Sequence, residues 1–178
     1  MSPHDIVQFW ADSGPDRWFK MDEAFDAELR VRFEAAHHGA ARGAYSAWEA
    51  IADGALALLL LLDQIPRNLY RNSPHAFATD GLAVRVAGRA RARGFDMRMP
   101  LPLRIFFYLP FEHAENLGLQ AQSVALFETT GDADYMKYAI LHRNIIARFG
   151  RFPHRNSALG RTTTTEEQAF LDGGGFAG

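Results

Sequence analysis

Apolar residues in this chain recur at helical spacing, and the strand-like alternation of apolar and polar residues is nearly absent. Phe25, Leu29 and Phe33 stand four residues apart. In an α-helix they would form one apolar stripe that needs a core to cover it. Glycines, prolines and capping residues divide the chain into about seven or eight helical stretches joined by short turns, which favour antiparallel helix pairs. The sequence therefore predicts an all-α fold.

The predicted helices are placed by their start and stop signals. The main ones cover residues 21–38, 48–65, 75–93, 110–129, 134–149 and 165–171. The second is expected to be interrupted near Asp53 and Gly54. No internal linker is long or polar enough to divide domains. Residues 1–172 are therefore predicted to form a single all-helical domain, and residues 173–178 a glycine-rich flexible tail.

Composition excludes several classes of protein. The chain has no cysteine, which rules out disulfides, a thiolate nucleophile and cysteine-ligated metals. Its 21 acidic and 19 basic side chains give a net charge of −2, so no global field draws it to nucleic acid or to an anionic membrane. No signal peptide is apparent, and the longest apolar run, residues 55–62, is far shorter than the roughly 20 residues of a membrane helix. We expect a soluble, cytoplasmic protein without a membrane partner.

The first of two polar, proline-broken segments is residues 58–71, LLLLLDQIPRNLYR. Pro66 disfavours the α conformation at the preceding residue, so we expect the helix to end or bend near Gln64. That would leave Asp63 in the last turn, where the helix dipole disfavours an anion. Asp63 also follows five leucines, so its carboxylate is expected to be partly buried and to need a partner.

Arg67 and Arg71, just beyond the break, are the nearest candidate partners of Asp63, and Asn68 lies between them. One interpretation is a structural ion pair that fastens a corner of the helix. The other is a carboxylate that orients a ligand or transfers a proton in a cleft. The sequence leaves both open.

The second segment is residues 141–156, LHRNIIARFGRFPHRN. Four basic side chains lie within eight residues: Arg148, Arg151, His154 and Arg155. These side chains repel one another unless acids or a bound anion compensate, so either an internal salt-bridge network or an anion site would supply the missing charge. Phe149 and Phe152 would anchor the loop to the core. Each polar segment could supply the charge that the other lacks.

A third patch, residues 110–115, contains Glu112 and Glu115. Acids in the first turn of a helix stabilise its N-terminus, which is the simplest explanation of both. With His142 and His154 they could also form a carboxylate–imidazole metal site. No ligand spacing such as HExxH is present, and no GxSxG, GxxxxGK[ST] or GxGxxG motif occurs, so neither a metal nor a cofactor is expected.

Several motifs together resemble the bacterial family called domain of unknown function 924. They are RWF at 17–19, FDAELRVRF at 25–33, LLLLDQIPRNLYR at 59–71, FATD at 77–80, FFYLPFEHAE at 106–115, HRNIIARFGRFPHRN at 142–156 and ALGR at 158–161. The resemblance covers nearly the whole chain, to about residue 171. It implies a tetratricopeptide-repeat-like right-handed superhelix of stacked helix pairs, although no 34-residue repeat is visible in the sequence. It implies no activity and no catalytic residues.

The family pattern usually reads DQFPRN, EHSE and HRDII, where this chain has Ile65, Ala114 and Asn144. The change at position 65 is a packing change. Asn144 replaces an aspartate that is expected there, which argues against a mechanism needing a carboxylate at that position.

Two functions from different classes are consistent with these residues. The first is binding of an anionic small molecule or acidic peptide in an arginine-rich cleft. Its candidate ligand-binding residues are Arg67, Asn68, Arg71, Glu112, Arg148, Arg151, His154 and Arg155. The alternative is a cofactor-independent enzyme that uses Asp63 or His142 as a general acid or base on an anionic substrate. A structural role in a homo-oligomer is a third possibility.

Overall fold

The computed structural model describes residues 1–176, and none of these residues belongs to a β-strand. The all-α prediction is confirmed. The described residues contain eleven α-helical segments, more than the seven or eight predicted, because short turns interrupt several of the longer stretches. The tetratricopeptide-repeat-like superhelix stays a prediction.

The α-helices, in chain order, are α1 (Pro3–Ser13), α2 (Pro15–Trp18), α3 (Glu23–Ala41), α4 (Ala52–Leu59), α5 (Ile65–Leu69), α6 (Asp80–Ala92), α7 (Leu101–Arg104), α8 (Leu109–Glu112), α9 (Leu117–Glu128), α10 (Ala133–Phe149) and α11 (Thr165–Asp172). One π-helical turn covers Leu60–Gln64. The 3-10 turns cover Ser46–Ala50, Pro74–Phe77, Asp96–Arg98, Ile105–Phe107 and Pro153–Arg155.

These elements lie in two compact units. Unit 1 is Met1–Arg71 with His75–Pro110, and unit 2 is Asn72–Pro74 with Phe111–Gly178. Residues 177 and 178, the end of the predicted flexible tail, lie outside the described residues. The single domain and the flexibility of the tail stay predictions.

Unit 1 is built around α4, which is buried from Gly54 onward and packs against α1 and α6. The stripe formed by Phe25, Leu29 and Phe33 on α3 is buried, as predicted. The expected interruption near Asp53 and Gly54 lies slightly earlier, at the extended Ile51. Gly54 is inside α4, where a Cβ atom would lie 2.1 Å from the carbonyl oxygen of Trp48. A glycine is needed there because the preceding turn crosses so close to the helix.

The helix around Pro66 differs from the prediction. Instead of ending near Gln64, it continues to Leu69, and Ile65 is α-helical with φ −55° and ψ −45°. The π-helical turn before the proline accommodates the ring, because it shifts the hydrogen-bonding register by one residue. Asp63 therefore lies within a continuous helical run, and not in a last turn.

Pro66 has no backbone N–H, so it leaves carbonyl groups of the preceding turn without helical partners. Side chains from other elements of unit 1 bond these groups. The Nδ1 atom of His37 lies 2.8 Å from the carbonyl oxygen of Leu61. The hydroxyl of Thr79 donates to the carbonyl oxygen of Leu62 at 2.5 Å. These contacts explain how the chain holds a proline inside a buried helix.

The predicted helix over residues 110–129 is also broken. Its first part, α8, ends at Glu112, and α9 begins at Leu117 with Asn116 as its N-cap. Gln120 bridges the break, because its side-chain amide donates to the carbonyl oxygens of Glu112 and Ala114. Glu112 thus lies at the end of a helix, so the predicted first-turn dipole explanation for it is wrong.

Unit 2 contains the pair α9 and α10, which pack against each other across a four-residue turn. The carboxylate of Asp132 caps α10 by accepting from the backbone N–H groups of Asp134 and Tyr135. Gly150, with φ +70°, ends the helix in the left-handed region, as predicted. The last predicted helix is confirmed as α11, which begins with a capping box between Thr164 and Glu167.

Candidate functional site

Asp63 of unit 1 is 1% exposed, and the predicted pairing with Arg67 is confirmed. The guanidinium lies 3.3 Å from the Asp63 carboxylate and donates to both oxygens of Asp80, at 2.9 and 3.0 Å. Burial by itself would lower the pKa of Arg67, but the Asp63 and Asp80 carboxylates hold the pKa above its ordinary value. One buried cation therefore serves two carboxylates.

Asn68 and Arg71, the other polar residues of the first segment, both contact Asp26. The side-chain amide of Asn68 donates to Asp26 at 2.7 Å, and Arg71 donates to both carboxylate oxygens at 2.6 and 3.1 Å. Asp26 lies on α3, about forty positions earlier in the chain, which is why sequence spacing did not identify it. Asp80 escaped notice for the same reason.

In unit 2, Arg148 and Arg151 of the second segment pair with acids on α11. Arg148 donates to Glu166 at 2.9 Å, and Arg151 makes a bidentate contact with Glu167 at 2.6 and 2.8 Å. The hydrogen bond from Arg151, together with the backbone N–H of Thr164, lowers the pKa of Glu167 to about 2. For these two arginines the internal salt-bridge network is the observed arrangement.

Glu115 of the third patch fixes the start of the loop after α10. Its carboxylate accepts from the backbone N–H of Phe152 at 2.9 Å and from Arg161 at 2.8 and 2.7 Å. Burial opposes ionisation of Glu115, but the hydrogen bonds from Arg161 and Phe152 outweigh it and lower the pKa of the carboxyl. The sequence analysis singled out Glu115 but not Arg161.

The remaining predicted residues of unit 2 meet in one place, which we call the histidine cluster. It consists of His113, His142, Phe152, His154, Arg155 and Phe176. The imidazole centroids of His113 and His142 are 6.4 Å apart. Phe152 lies between His142 and His154, at 5.4 and 5.6 Å from their ring centroids. Arg155 is buried, with its guanidinium 4.4 Å from the centroid of the Phe152 ring.

His142 is the buried centre of this cluster. Its Nδ1 atom lies 2.9 Å from the carbonyl oxygen of Tyr138 and 3.4 Å from the carboxylate of Glu112. Burial lowers the pKa of His142 to about 3, and the charges of His113, Arg155 and His154 act in the same direction. The imidazole is therefore neutral at neutral pH, and its contact with Glu112 is not an ion pair.

The tautomer of His142 follows from its partners. A backbone carbonyl only accepts hydrogen bonds, so Nδ1 must carry the proton that it shares with Tyr138. Nε2 then has a lone pair that can accept a hydrogen bond. No residue among 1–176 donates to Nε2.

Phe176 was not singled out in the sequence, and it lies directly on the cluster. Its ring packs edge-on against His142 at 4.6 Å and against His154 at 5.3 Å. It also packs against the small apolar core formed by Ile145, Ile146 and Phe152. Three consecutive glycines before this residue suggested a tail without structure, which hid its aromatic ring as a signal.

Each polar segment finds counter-charges within its own unit, so compensation of one segment by the other stays a prediction. Within the described range 1–176, no helix is long and apolar enough to cross a membrane. In the same range, no three histidine or acidic side chains are arranged to hold a metal ion.

Comparison with known proteins gives a family but no activity. A model of bacterial proteins of unknown function, DUF924, matches residues 6–175. The solved structure of ATU0120, a protein of unknown function from Agrobacterium tumefaciens, is similar to this chain at 47% identity with a TM-score of 0.93, and covers 96% of this chain and 97% of that one. No curated protein matches. The chain thus belongs to the DUF924 family of bacterial proteins.

Proposed function

We propose that this protein binds a small anion, or the carboxylate end of an acidic peptide, at the histidine cluster of unit 2. The observation that carries this proposal is the neutral imidazole of His142, buried beside His113, His154 and Arg155, whose charges all lower its pKa. An anion would be attracted by the same three groups. Burial limits screening by water, so the attraction is stronger there than at the surface.

The tautomer of His142 adds a second requirement to the ligand. Because Nδ1 carries the proton, Nε2 accepts a hydrogen bond and does not donate one to the ligand. The best ligand is thus an anion that also carries an O–H or N–H group, such as a hydrogen phosphate or a hydroxycarboxylate. The carboxylate of Glu112, 3.4 Å from Nδ1, would keep the imidazole in this tautomer.

Most of the arginines predicted to bind the ligand support the surrounding structure in this account. Arg67 and Arg71 in unit 1, like Arg148 and Arg151 in unit 2, already hold carboxylates of the chain. A ligand would have to displace these carboxylates, which costs the hydrogen bonds already formed. We therefore narrow the predicted ligand-binding set to His154 and Arg155, with His142 and Glu112 beside them.

The chemistry favours binding over proton transfer by His142. A general base works best when its pKa lies near the working pH. A pKa of about 3 makes this imidazole a weak base, although it can still accept a hydrogen bond. Asp63, the other predicted acid or base, shares the Arg67 cation with Asp80, an arrangement that keeps carboxylates ionised.

Calorimetric titration at neutral pH tests the proposal, with inorganic phosphate and acetate as probes. We expect phosphate to bind more tightly than acetate, because only hydrogen phosphate can donate to Nε2 of His142. His154→Gln should weaken phosphate binding by about tenfold, the effect expected for losing one charge-assisted contact.

Arg85→Gln is the matched control, because Arg85 is an exposed arginine of α6 in unit 1. It removes one positive charge elsewhere and should leave phosphate affinity within about twofold, as expected for a screened surface charge. The proposal fails if neither probe binds the unmodified chain, or if Arg85→Gln and His154→Gln weaken binding equally.

A further inference from the structure

The ring of Phe176 fills a slot with a defined lining. Two imidazoles, His142 and His154, meet it edge-on, and Phe152 with Ile145 and Ile146 form the apolar floor. Edge-on contacts between aromatic rings are favourable for any aromatic group at these distances, so the lining recognises a ring and not phenylalanine as such.

The chain returns to this slot through a turn that needs glycine. The backbone N–H groups of Gly173, Gly174 and Gly175 donate to the carbonyl oxygens of Ala169, Leu171 and Phe170, which closes the end of α11. Gly174 has φ +78°, in the left-handed region. A Cβ atom at Gly175 would lie 2.5 Å from the carbonyl oxygen of Phe170 and 2.6 Å from its ring. The sequence therefore encodes this turn.

The same glycines make the hold on Phe176 weak. Glycine loses more conformational freedom on ordering than any other residue, so fixing three of them opposes the return of the ring. No polar contact in the described chain fastens the side chain of Phe176, which is held by ring packing alone. A ligand ring that brings its own anionic anchor would compete well with it.

We propose that the slot filled by Phe176 is the subsite for an aromatic ring of the ligand, and that Phe176 occupies it when no ligand is present. The ligand class is then an aromatic anion whose charged group meets His154 and Arg155 while its ring replaces the Phe176 ring. This inference rests on the anion site proposed above and adds the second half of the ligand. It also makes the C-terminal turn a built-in competitor.

The test uses two phosphonates that differ only in the ring: methylphosphonate and phenylphosphonate. Calorimetric titration of both is made on the unmodified chain, on Phe176→Ala and on Gly174→Ala, which keeps the ring but strains the turn. Phe19→Ala is the control, because it removes an exposed phenylalanine of unit 1.

We expect phenylphosphonate to bind Phe176→Ala about tenfold more tightly than the unmodified chain, because removing a tethered competitor removes its effective concentration. Methylphosphonate should bind all variants within about twofold, since the anionic contacts are unchanged. Gly174→Ala should fall between the two for phenylphosphonate, and Phe19→Ala should match the unmodified chain.

The outcomes separate this inference from the anion site. If methylphosphonate binds but the ring gives no advantage in Phe176→Ala, the aromatic subsite is wrong and the anion site stands. If neither phosphonate binds any variant, the anion site itself fails. Tighter binding of both phosphonates to Phe176→Ala would mean that Phe176 only blocks access, which would also overturn the aromatic subsite.

A measurement on the unmodified chain keeps the test independent of variant folding. Phenylphosphonate should move the amide resonances of residues 173–176 toward their unstructured positions in NMR spectra, because its ring replaces that of Phe176. Methylphosphonate should leave them in place. Binding of phenylphosphonate without any change at these amides would contradict the proposal.

Discussion

Unit 1 and unit 2 bury ionisable groups by opposite means. In unit 1 the carboxylates of Asp63 and Asp80 keep their charge, because the Arg67 guanidinium lies against both. In unit 2 the imidazole of His142 is buried with cationic groups beside it and loses its charge instead. A buried group must either find a counter-charge or become neutral, and the two units show both solutions.

The difference teaches where a ligand is expected. A closed pair of opposite charges resists a competing ion, because displacing either partner leaves the other buried. A neutral acceptor among positive groups has no such penalty. The following predictions break or sharpen this comparison, from the largest expected effect to the smallest.

The largest effect is expected for Arg67→Met in unit 1. It removes the cation shared by two poorly exposed carboxylates, and breaking such a pair costs about 3–5 kcal/mol. Denaturant unfolding measures the change in the free energy of unfolding. Arg71→Met is the control, because this arginine is 34% exposed and serves only Asp26 among the contacts described; it should cost about 1 kcal/mol or less. Equal losses in both variants would contradict the comparison.

The second effect is a pH dependence from His142. Its folded pKa of about 3 lies below the ordinary value of 6.5, so between these values the unfolded chain binds a proton that the folded chain does not. Stability should therefore fall as the pH drops from 6.5 toward 3, by as much as about 1.4 kcal/mol per pH unit.

The variant His142→Gln should show a shallower loss over the same range, because glutamine does not titrate. Glu112, His113 and His154, which also titrate, and Arg155 face the imidazole in both proteins, so the difference between the two curves isolates His142. Identical slopes between pH 6.5 and 4.5 would show that the imidazole is not held neutral.

The third effect concerns the pair between Arg151 and Glu167. Glu167→Gln should cost about 1–3 kcal/mol at neutral pH, because a buried bidentate contact is replaced by a weaker amide contact. The folded pKa of about 2 lies below the ordinary value of 4.5, so this stability is present above pH 4.5 and is lost as the pH falls toward 2. Unfolding curves of the variant should converge with those of the unmodified chain in acid. A gap that stays constant would refute the assignment.

The smallest effect is expected for Arg148→Ala. Both Arg148 and its partner Glu166 are more than half exposed, so solvent screens the pair. The loss should stay within about 0.5 kcal/mol and should shrink further in high salt. A loss as large as that of Glu167→Gln would mean that exposure is a poor guide to these contacts.

Much of the fold could be predicted because helical spacing is a local signal. The buried stripe on α3 and the glycine stop at Gly150 follow from residues within a few positions of one another. The helix through Pro66 could not be predicted in this way. It depends on side chains of His37 and Thr79, which come from other parts of the chain to bond carbonyl groups before the proline.

The candidate site divides in the same manner. The pairing of Asp63 with Arg67 was predictable, because four residues on a helix bring two side chains together. The acids that hold Arg71, Arg151 and Arg161 come from distant elements, and spacing gives no indication of them. The burial of His142 was equally hidden, since it depends on Phe152 and Phe176 covering its ring.

The most direct test of the central claim is a nitrogen NMR titration of the His142 imidazole in the unmodified chain. The account predicts a neutral ring with its proton on Nδ1 from neutral pH down to about pH 4, since a group with a pKa near 3 stays largely deprotonated above it. Inorganic phosphate should shift the Nε2 resonance, because that atom accepts the hydrogen bond. An imidazole that titrates near pH 6.5, or an Nε2 resonance that ignores phosphate, would contradict the account.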